Sequence, residues 1–226
     1  MKKIYLVGDT HGTWDNIMRI KNVPNCIHIV LGDFGFIWGP DTESDLVKLE
    51  RDLVKNDNLL LFIDGNHENF EMLNAYPVEV WNGGKVHRIT DHILHLMRGQ
   101  VFEIEGKKYF TMGGAGSIDK IRRTNRVSWW FEENINKEEE NEAFDNLEAA
   151  NWEVDYVLTH TGPASVVYAM FNFHDADDRT GDSNARFLQE IANRLVFKDW
   201  YFGHLHMDKT IGRYHVLYRK PILKGE

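Results

Sequence analysis

Histidine, aspartate and asparagine side chains recur at five places along the chain, each at the end of a short apolar run. The residues concerned are Asp9, His11, Asp33, Asn66, His67, His160, His204 and His206. Imidazole, carboxylate and amide groups together form a ligand set for divalent cations such as manganese, iron or zinc. Glycines adjoin these residues and permit the tight turns and close backbone approach that a crowded site needs. The residue types therefore indicate a metal site, and turn residues placed by chance are the weaker explanation.

The apolar runs that precede these residues are typical of buried strands. Runs over 3–8, 26–32 and 58–64 alternate with predicted helices over about 13–22 and 41–55. Near-continuous apolar strands that alternate with helices indicate a buried, largely parallel sheet. Ligands of such sheets bind beyond the carboxyl ends of the strands, and that is where the polar residues fall.

The rest of the chain predicts a second series of strands and helices. The predicted elements are strands over 92–97, 100–105, 108–113, 154–159 and 198–203, helices over about 137–150 and 183–196, a turn at Glu105-Gly106-Lys107 and a hairpin over about 208–219. No internal repeat or linker-like segment divides the 226 residues. We therefore expect a single domain over residues 1–226.

Taken in order, the five polar motifs resemble those of the calcineurin-like metallophosphoesterases. They are Gly8-Asp9-Thr10-His11-Gly12, Gly32-Asp33, Gly65-Asn66-His67-Glu68, His160 and Gly203-His204-Leu205-His206. The resemblance implies an α/β fold, a four-layer α/β/β/α sandwich of two mixed β-sheets flanked by helices, with a dinuclear metal site at the carboxyl ends of the strands. It also implies hydrolysis of a phosphomonoester or phosphodiester by a hydroxide that bridges the two metal ions.

The resemblance also assigns roles to single residues. Asp9, His11 and His206 would hold one metal ion. Asn66, His160 and His204 would hold the second ion. Asp33 would bridge both ions and so take part in catalysis. His67 would bind no metal and would act near the leaving-group oxygen, as a general acid or by stabilising the transition state.

The chemistry accounts for these residue types. Two cations about 3.5–4 Å apart clamp a phosphoryl group and lower the pKa of the water between them. We expect manganese as the ion, with iron, zinc or nickel as alternatives. Histidine suits the acid role because its pKa lies near neutral pH, and Asp64 or Glu68 could orient His67 by accepting a hydrogen bond.

Two segments near the motifs are candidates for contact with substrate. Arg122, Arg123 and Arg126 follow a glycine-rich loop, and a guanidinium can bind phosphate through two parallel hydrogen bonds. We expect one of these arginines to contact a substrate phosphate; the alternative is a solvated basic turn. Phe36 and Trp38 follow the second motif and either pack in the core or form a wall for a flat leaving group.

The net charge and its distribution along the chain restrict the class of substrate. The chain has 26 basic and 35 acidic residues, a formal net charge of −9, which disfavours indiscriminate binding to nucleic acid. Eight acids and one lysine lie within residues 131–148, whereas residues 119–126 carry a net charge of +3. We therefore favour a small nucleotide or another phosphorylated metabolite, and a nuclease acting on single-stranded or short nucleic acid is the alternative.

Two further functions are disfavoured. The protein phosphatases of this family carry Asp-Arg-Gly soon after the second motif, and here the segment from Gly32 to Gly39 has no arginine. A non-catalytic metal-binding scaffold is also an alternative, although every expected ligand position and His67 are present.

The expected location is the cytoplasm. The single cysteine, Cys26, excludes an internal disulfide and suits a reducing compartment. The apolar run over residues 4–7 is shorter than the core of a signal peptide, and no stretch approaches the ~18 apolar residues of a membrane span. We expect no membrane partner, and the oligomeric state stays open.

Overall fold

A computed structural model describes residues 1–13, 23–117, 120–171 and 182–224. The predicted helix over about 13–22 lies outside the described residues, apart from residue 13. Within the described residues the strands are β1 (Lys3–Val7), β2 (Cys26–Leu31), β3 (Leu59–Ile63), β4 (Val78–Trp81), β5 (Gly84–Arg88), β6 (Ile93–Leu96), β7 (Gln100–Ile104), β8 (Lys107–Met112), β9 (Tyr156–Thr159), β10 (Asp199–Phe202), β11 (Lys209–Ile211), β12 (Tyr214–Val216) and β13 (Ile222–Lys224). The helices are α1 (Pro40–Lys55), α2 (Phe70–Leu73), α3 (Lys137–Ala149), α4 (Ala164–Met170) and α5 (Ser183–Ala192).

The described strands form two mixed sheets. The first sheet has the order β13-β1-β2-β3-β6-β5-β4, and its central strands β1, β2, β3 and β6 run parallel. The second sheet has the order β11-β12-β10-β9-β8-β7, with parallel pairing from β12 through β10 and β9 to β8. The α/β class and the two mixed sheets are thus confirmed.

Apolar residues tie the two sheets and the helices together. One cluster contains Leu6 and Ile29 of the first sheet with Tyr109 and Tyr201 of the second. A second cluster joins the first sheet to α1, where Leu49 is fully buried. A third cluster joins the second sheet to α3, α4 and α5. Burying one large apolar side chain contributes about 1.5–3 kcal/mol to the stability of the fold. These clusters therefore fix the sheets against their helices.

Some elements lie beyond the sequence prediction. The β4–β5 hairpin turns at Asn82 and Gly83, with φ angles of +47° and +95°. Asn-Gly is a signal for the tight hairpin turn that needs positive φ at both positions, and it could have revealed the hairpin. Strand β13 is short and pairs with β1 at the edge of the first sheet, so only a contact across the whole chain defines it.

Within the described parts of the chain, no helix has both the length and the apolar character that crossing a bilayer requires.

Candidate metal centre

Four of the proposed ligands converge where β1, β2 and β10 end. His206 Nε2 lies 3.1 Å from Asp9 Oδ2 and 3.0 Å from His11 Nε2. His11 Nε2 in turn lies 3.7 Å from Asp33 Oδ2. One potential ligand atom from each of the four residues lies within 4.8 Å of the others. Two imidazole nitrogens and two carboxylates at such spacing suit a divalent cation.

A second group of donors, meaning atoms that could bind a metal ion, lies on the other side of Asp33. His160 Nε2 lies 3.3 Å from Asp33 Oδ1 and 3.2 Å from Asn66 Oδ1. All three residues are buried. His160 Nδ1 donates to the Leu31 carbonyl at 2.7 Å, which directs Nε2 toward Asp33 and Asn66. Asp33 therefore contacts both groups, one through each carboxylate oxygen.

Charge and burial set the protonation of these groups. Burial alone would raise the pKa of Asp33, but the neighbouring histidines, His160 foremost, hold the pKa below its usual range. Burial would lower the pKa of His160, and the Asp33 carboxylate instead raises that pKa to about 10. Burial and the nearby His160 lower the pKa of His204 to about 4, which keeps its ring neutral.

The backbone around these side chains is strained in one consistent way. His11, Asp33, His204 and His206 all have positive φ, between 48° and 64°. Residues other than glycine seldom adopt this conformation, and it persists where the surrounding contacts fix it. Among those contacts, the amide of His11 donates to the Asp33 carbonyl and the amide of His204 donates to Asp9 Oδ1.

Close backbone approach explains the glycine that precedes Asn66. A Cβ at Gly65 would lie 2.1 Å from Asp33 Oδ1 and 2.8 Å from His160 Nε2. Any side chain at Gly65 would therefore displace the donors that meet at Asp33.

His67 lies beside the first group of donors. The His67 amide donates to Asp33 Oδ1 at 2.7 Å, and its ring meets the His11 ring edge-on, with centroids 5.4 Å apart. The Arg123 guanidinium lies against the His67 ring, with Nη1 3.0 Å from Nδ1 and Nη2 3.1 Å from Nε2. Arg122 and Arg126 are exposed, and no contact among the described residues brings either to the cluster.

Asp64 and Glu68, the two acids suggested as partners of His67, form hydrogen bonds to other groups. The prediction that either orients His67 is therefore wrong. The buried Asp64 carboxylate accepts from Arg98 at 2.6 Å and lies 3.1 Å from His95 Nε2. The buried Glu68 carboxylate accepts from the backbone amides of Phe34 and Gly65. Burial and the neighbouring Asp33 raise the pKa of Glu68 to about 8.

The aromatic residues after the second motif pack inside the protein. Phe36 is buried against Phe34 in the cluster that includes α1. Trp38 is half-buried and meets the buried Trp130 edge-on at 5.4 Å. For Phe36, core packing is thus confirmed over a wall for the leaving group.

Sequence reasoning missed several supporting residues. The Tyr218 ring stacks on His206 with centroids 4.6 Å apart. Asp208 accepts from the backbone amides of residues 218–220 and so holds the Tyr218 loop. Ser117 and Glu133 lie beyond Asn66. No local motif marks these residues, because each acts through a partner distant in sequence.

Comparison with known proteins identifies the class. The family model for calcineurin-like phosphoesterases matches residues 2–208. The match covers most of the chain, and the chain belongs to this family. A comparison with curated proteins found no match. Family membership implies metal-dependent hydrolysis of phosphoesters, and together with the Asp/His cluster it indicates divalent metal ions as cofactors.

Proposed function

We propose that this chain hydrolyses a small phosphomonoester or phosphodiester, such as a nucleotide or another phosphorylated metabolite. The observation that carries the proposal is the convergence of two groups of donors on Asp33, one through each carboxylate oxygen. A carboxylate with candidate metal ligands on both sides suits a pair of cations better than a single ion.

The donors divide between two ions. Asp9, His11 and His206 would hold one ion. Asn66, His160 and His204 would hold the other, with Asp33 shared. Once bound, two divalent cations would neutralise charge on the phosphoryl group and lower the pKa of a water between them. We propose manganese as the native ion, with iron, zinc and nickel as the alternatives to test.

His67 and Arg123 would act on the substrate itself. The hydrogen bond from the His67 amide to Asp33 fixes the His67 backbone next to the candidate ligands. From this position His67 would act near the leaving-group oxygen, as a general acid or by stabilising the transition state. The Arg123 guanidinium, which already lies against His67, would donate hydrogen bonds to a phosphate oxygen. A single guanidinium at this position suits a small anionic substrate better than a long nucleic acid. A chain with a net charge of −9 is also poorly suited to binding a long nucleic acid.

The overall architecture belongs to the same proposal. The apolar clusters between the sheets and against the helices support the four-layer α/β/β/α order. We further infer that residues 1–226 form one domain.

The test is a metal-reconstitution assay. The chain is stripped with a chelator, dialysed, and assayed on p-nitrophenyl phosphate and bis-p-nitrophenyl phosphate with manganese, iron, zinc or nickel added singly. We expect no turnover without metal and recovery with manganese, and the ratio of the two rates separates monoesterase from diesterase. Full activity in the stripped chain would overturn the proposal, as would no turnover with any ion. Asp33→Asn is the inactive control.

A further inference from the structure

A chain of buried hydrogen bonds leads away from the Asn66 amide. Asn66 Nδ2 donates to Ser117 Oγ at 2.9 Å. Ser117 Oγ donates to Glu133 Oε2 at 2.6 Å, and the Ser117 amide donates to Glu133 Oε1 at 2.9 Å. The exposed fractions are 4% for Asn66, 5% for Ser117 and 0% for Glu133. Water therefore does not compete for these hydrogen bonds.

The direction of this chain follows from the chemistry of its last member. A carboxylate has only acceptor atoms, and Glu133 accepts from both the amide and the hydroxyl of Ser117. The Ser117 hydroxyl proton thus points to Glu133, and its oxygen is left to accept from Asn66. Asn66 must then offer Nδ2 to Ser117 and turn Oδ1 toward His160 Nε2, which lies 3.2 Å away.

The position of Glu133 is itself fixed by its neighbours. Its carbonyl accepts from the buried Asn184 side chain at 3.4 Å. Arg98 donates to the carbonyls of Glu132 at 2.7 Å and Asn134 at 3.2 Å, on either side of Glu133. These contacts fix the backbone from which the Glu133 side chain extends to Ser117.

We infer that Ser117 and Glu133 are positioning residues, which orient the Asn66 amide so that its oxygen faces one of the two metal positions. This inference rests on the proposed function, because Asn66 is there a ligand. An amide turned the other way would present its NH₂ group to the cation, and an NH₂ group, which only donates hydrogen bonds, does not bind a cation. The buried carboxylate of Glu133 would thus decide whether Asn66 is a ligand.

Substituting Glu133 tests this directly. In Glu133→Gln the side chain keeps its shape but has one acceptor and one donor group, so it can no longer accept from both the amide and the hydroxyl of Ser117. Ser117→Ala removes the hydroxyl between Asn66 and Glu133. The matched control is Glu132→Gln, which removes the same charge from the adjacent, exposed glutamate.

The measurement is calorimetric titration of the metal-free full chain with Mn²⁺. We expect two ions in the unmodified chain, and 10–100-fold weaker binding of one ion in Glu133→Gln and Ser117→Ala. The other ion and the Glu132→Gln control should stay within about twofold of the unmodified chain. A general loss of folding would weaken both ions together, so the loss at one ion alone separates positioning from a structural role.

Three outcomes overturn the inference. Unchanged binding of both ions in the two variants would show that Ser117 and Glu133 do not orient the Asn66 amide. Equal weakening of both ions would show a structural role only. An unmodified chain that binds no second ion would remove the inference along with the proposed function, and the unmodified chain's own titration and turnover distinguish that failure from the first two.

Discussion

At the scale of single residues, the histidines of the site differ in what surrounds each ring. His160 is buried, and its Nδ1 donates to a backbone carbonyl, so one nitrogen is directed at Asp33. His206 is covered on one face by Tyr218 and turns Nε2 to Asp9. His67 instead has a guanidinium against its ring. A neighbouring cation repels a metal ion, which supports our assignment of His67 to the substrate.

The arginines near the site provide the first prediction. We expect Arg123→Ala to lower kcat/KM about 10–100-fold, because hydrogen bonds to a charged group contribute about 1.5–3 kcal/mol. The control is Arg126→Ala, an exposed arginine three positions along the same segment, which we expect to change kcat/KM less than about twofold. Steady-state kinetics on the better aryl substrate measures both. Equal effects of the two substitutions would contradict a specific role for Arg123.

His28 provides a prediction on pH. Its ring lies fully buried in β2, and neither ring nitrogen has a hydrogen-bond partner among the described residues. Burial lowers the pKa of His28 from 6.5 to about 4. The unfolded chain therefore binds this proton below about pH 6.5 while the folded chain does not. The stability of the fold falls as the pH drops from about 6.5 to 4.

His28→Leu removes this sensitivity. At pH 5 we expect His28 to cost the folded chain about 2 kcal/mol relative to pH 7.5, and the variant should lack that part of the loss. Urea unfolding of both proteins at the two pH values measures the difference, and all other titrating groups are common to both. An identical pH dependence in the variant would contradict the prediction.

At the scale of elements, one arginine joins the end of β3 to the segment that carries Glu133. Arg98 pairs with Asp64, which directly follows β3, and donates to the carbonyls on either side of Glu133. It also reaches Glu139 in the first turn of α3. One buried cation thus holds the segment that carries Glu133 against the end of β3.

Removing this cation should destabilise the fold strongly. We expect Arg98→Ala to lower the free energy of unfolding by about 3–5 kcal/mol, because it leaves the Asp64 carboxylate buried without its cation. The control is Lys48→Ala, which breaks the exposed pair with Asp45 on α1 and should cost less than about 1 kcal/mol. Denaturant unfolding of both variants decides the matter, and a small loss in Arg98→Ala would contradict the account.

At the scale of the whole molecule, the centre lies where the two sheets meet. Asp9, Asp33 and Asn66 follow strands of the first sheet, whereas His160 and His204 follow strands of the second. A bound cation would therefore connect the sheets. Two divalent ions would also offset the acidic charge of the site, so an anionic substrate would meet a positive field despite the net charge of −9.

Metal binding should consequently stabilise the whole fold. An ion present at 100 times its Kd adds about 2.7 kcal/mol for each site, and for a chain of this length each kcal/mol raises Tm by about 2–4 °C. Thermal unfolding with a chelator and with Mn²⁺ measures the rise. Asp33→Asn, which removes the carboxylate charge that both groups of donors share, should lose most of it. The same Tm with and without Mn²⁺ would contradict two-ion binding.

The sequence by itself determined the family, the α/β class and the addresses of the polar residues. Asp9, Asp33, Asn66, His160 and His204 were recognisable because each follows an apolar run that is itself a strand. That signal is local, since strand period and glycine turns depend on neighbouring residues. It needed no knowledge of how the sheets pack.

The tertiary structure alone decided which distant side chains complete the site. It placed Arg123, of three arginines in one segment, against the His67 ring, and it paired Asp64 with Arg98 and not with His67. It also brought Glu133 through Ser117 to Asn66. These contacts join residues 16 to 56 positions apart. No periodicity or spacing encodes them, because they arise only when separate elements pack together.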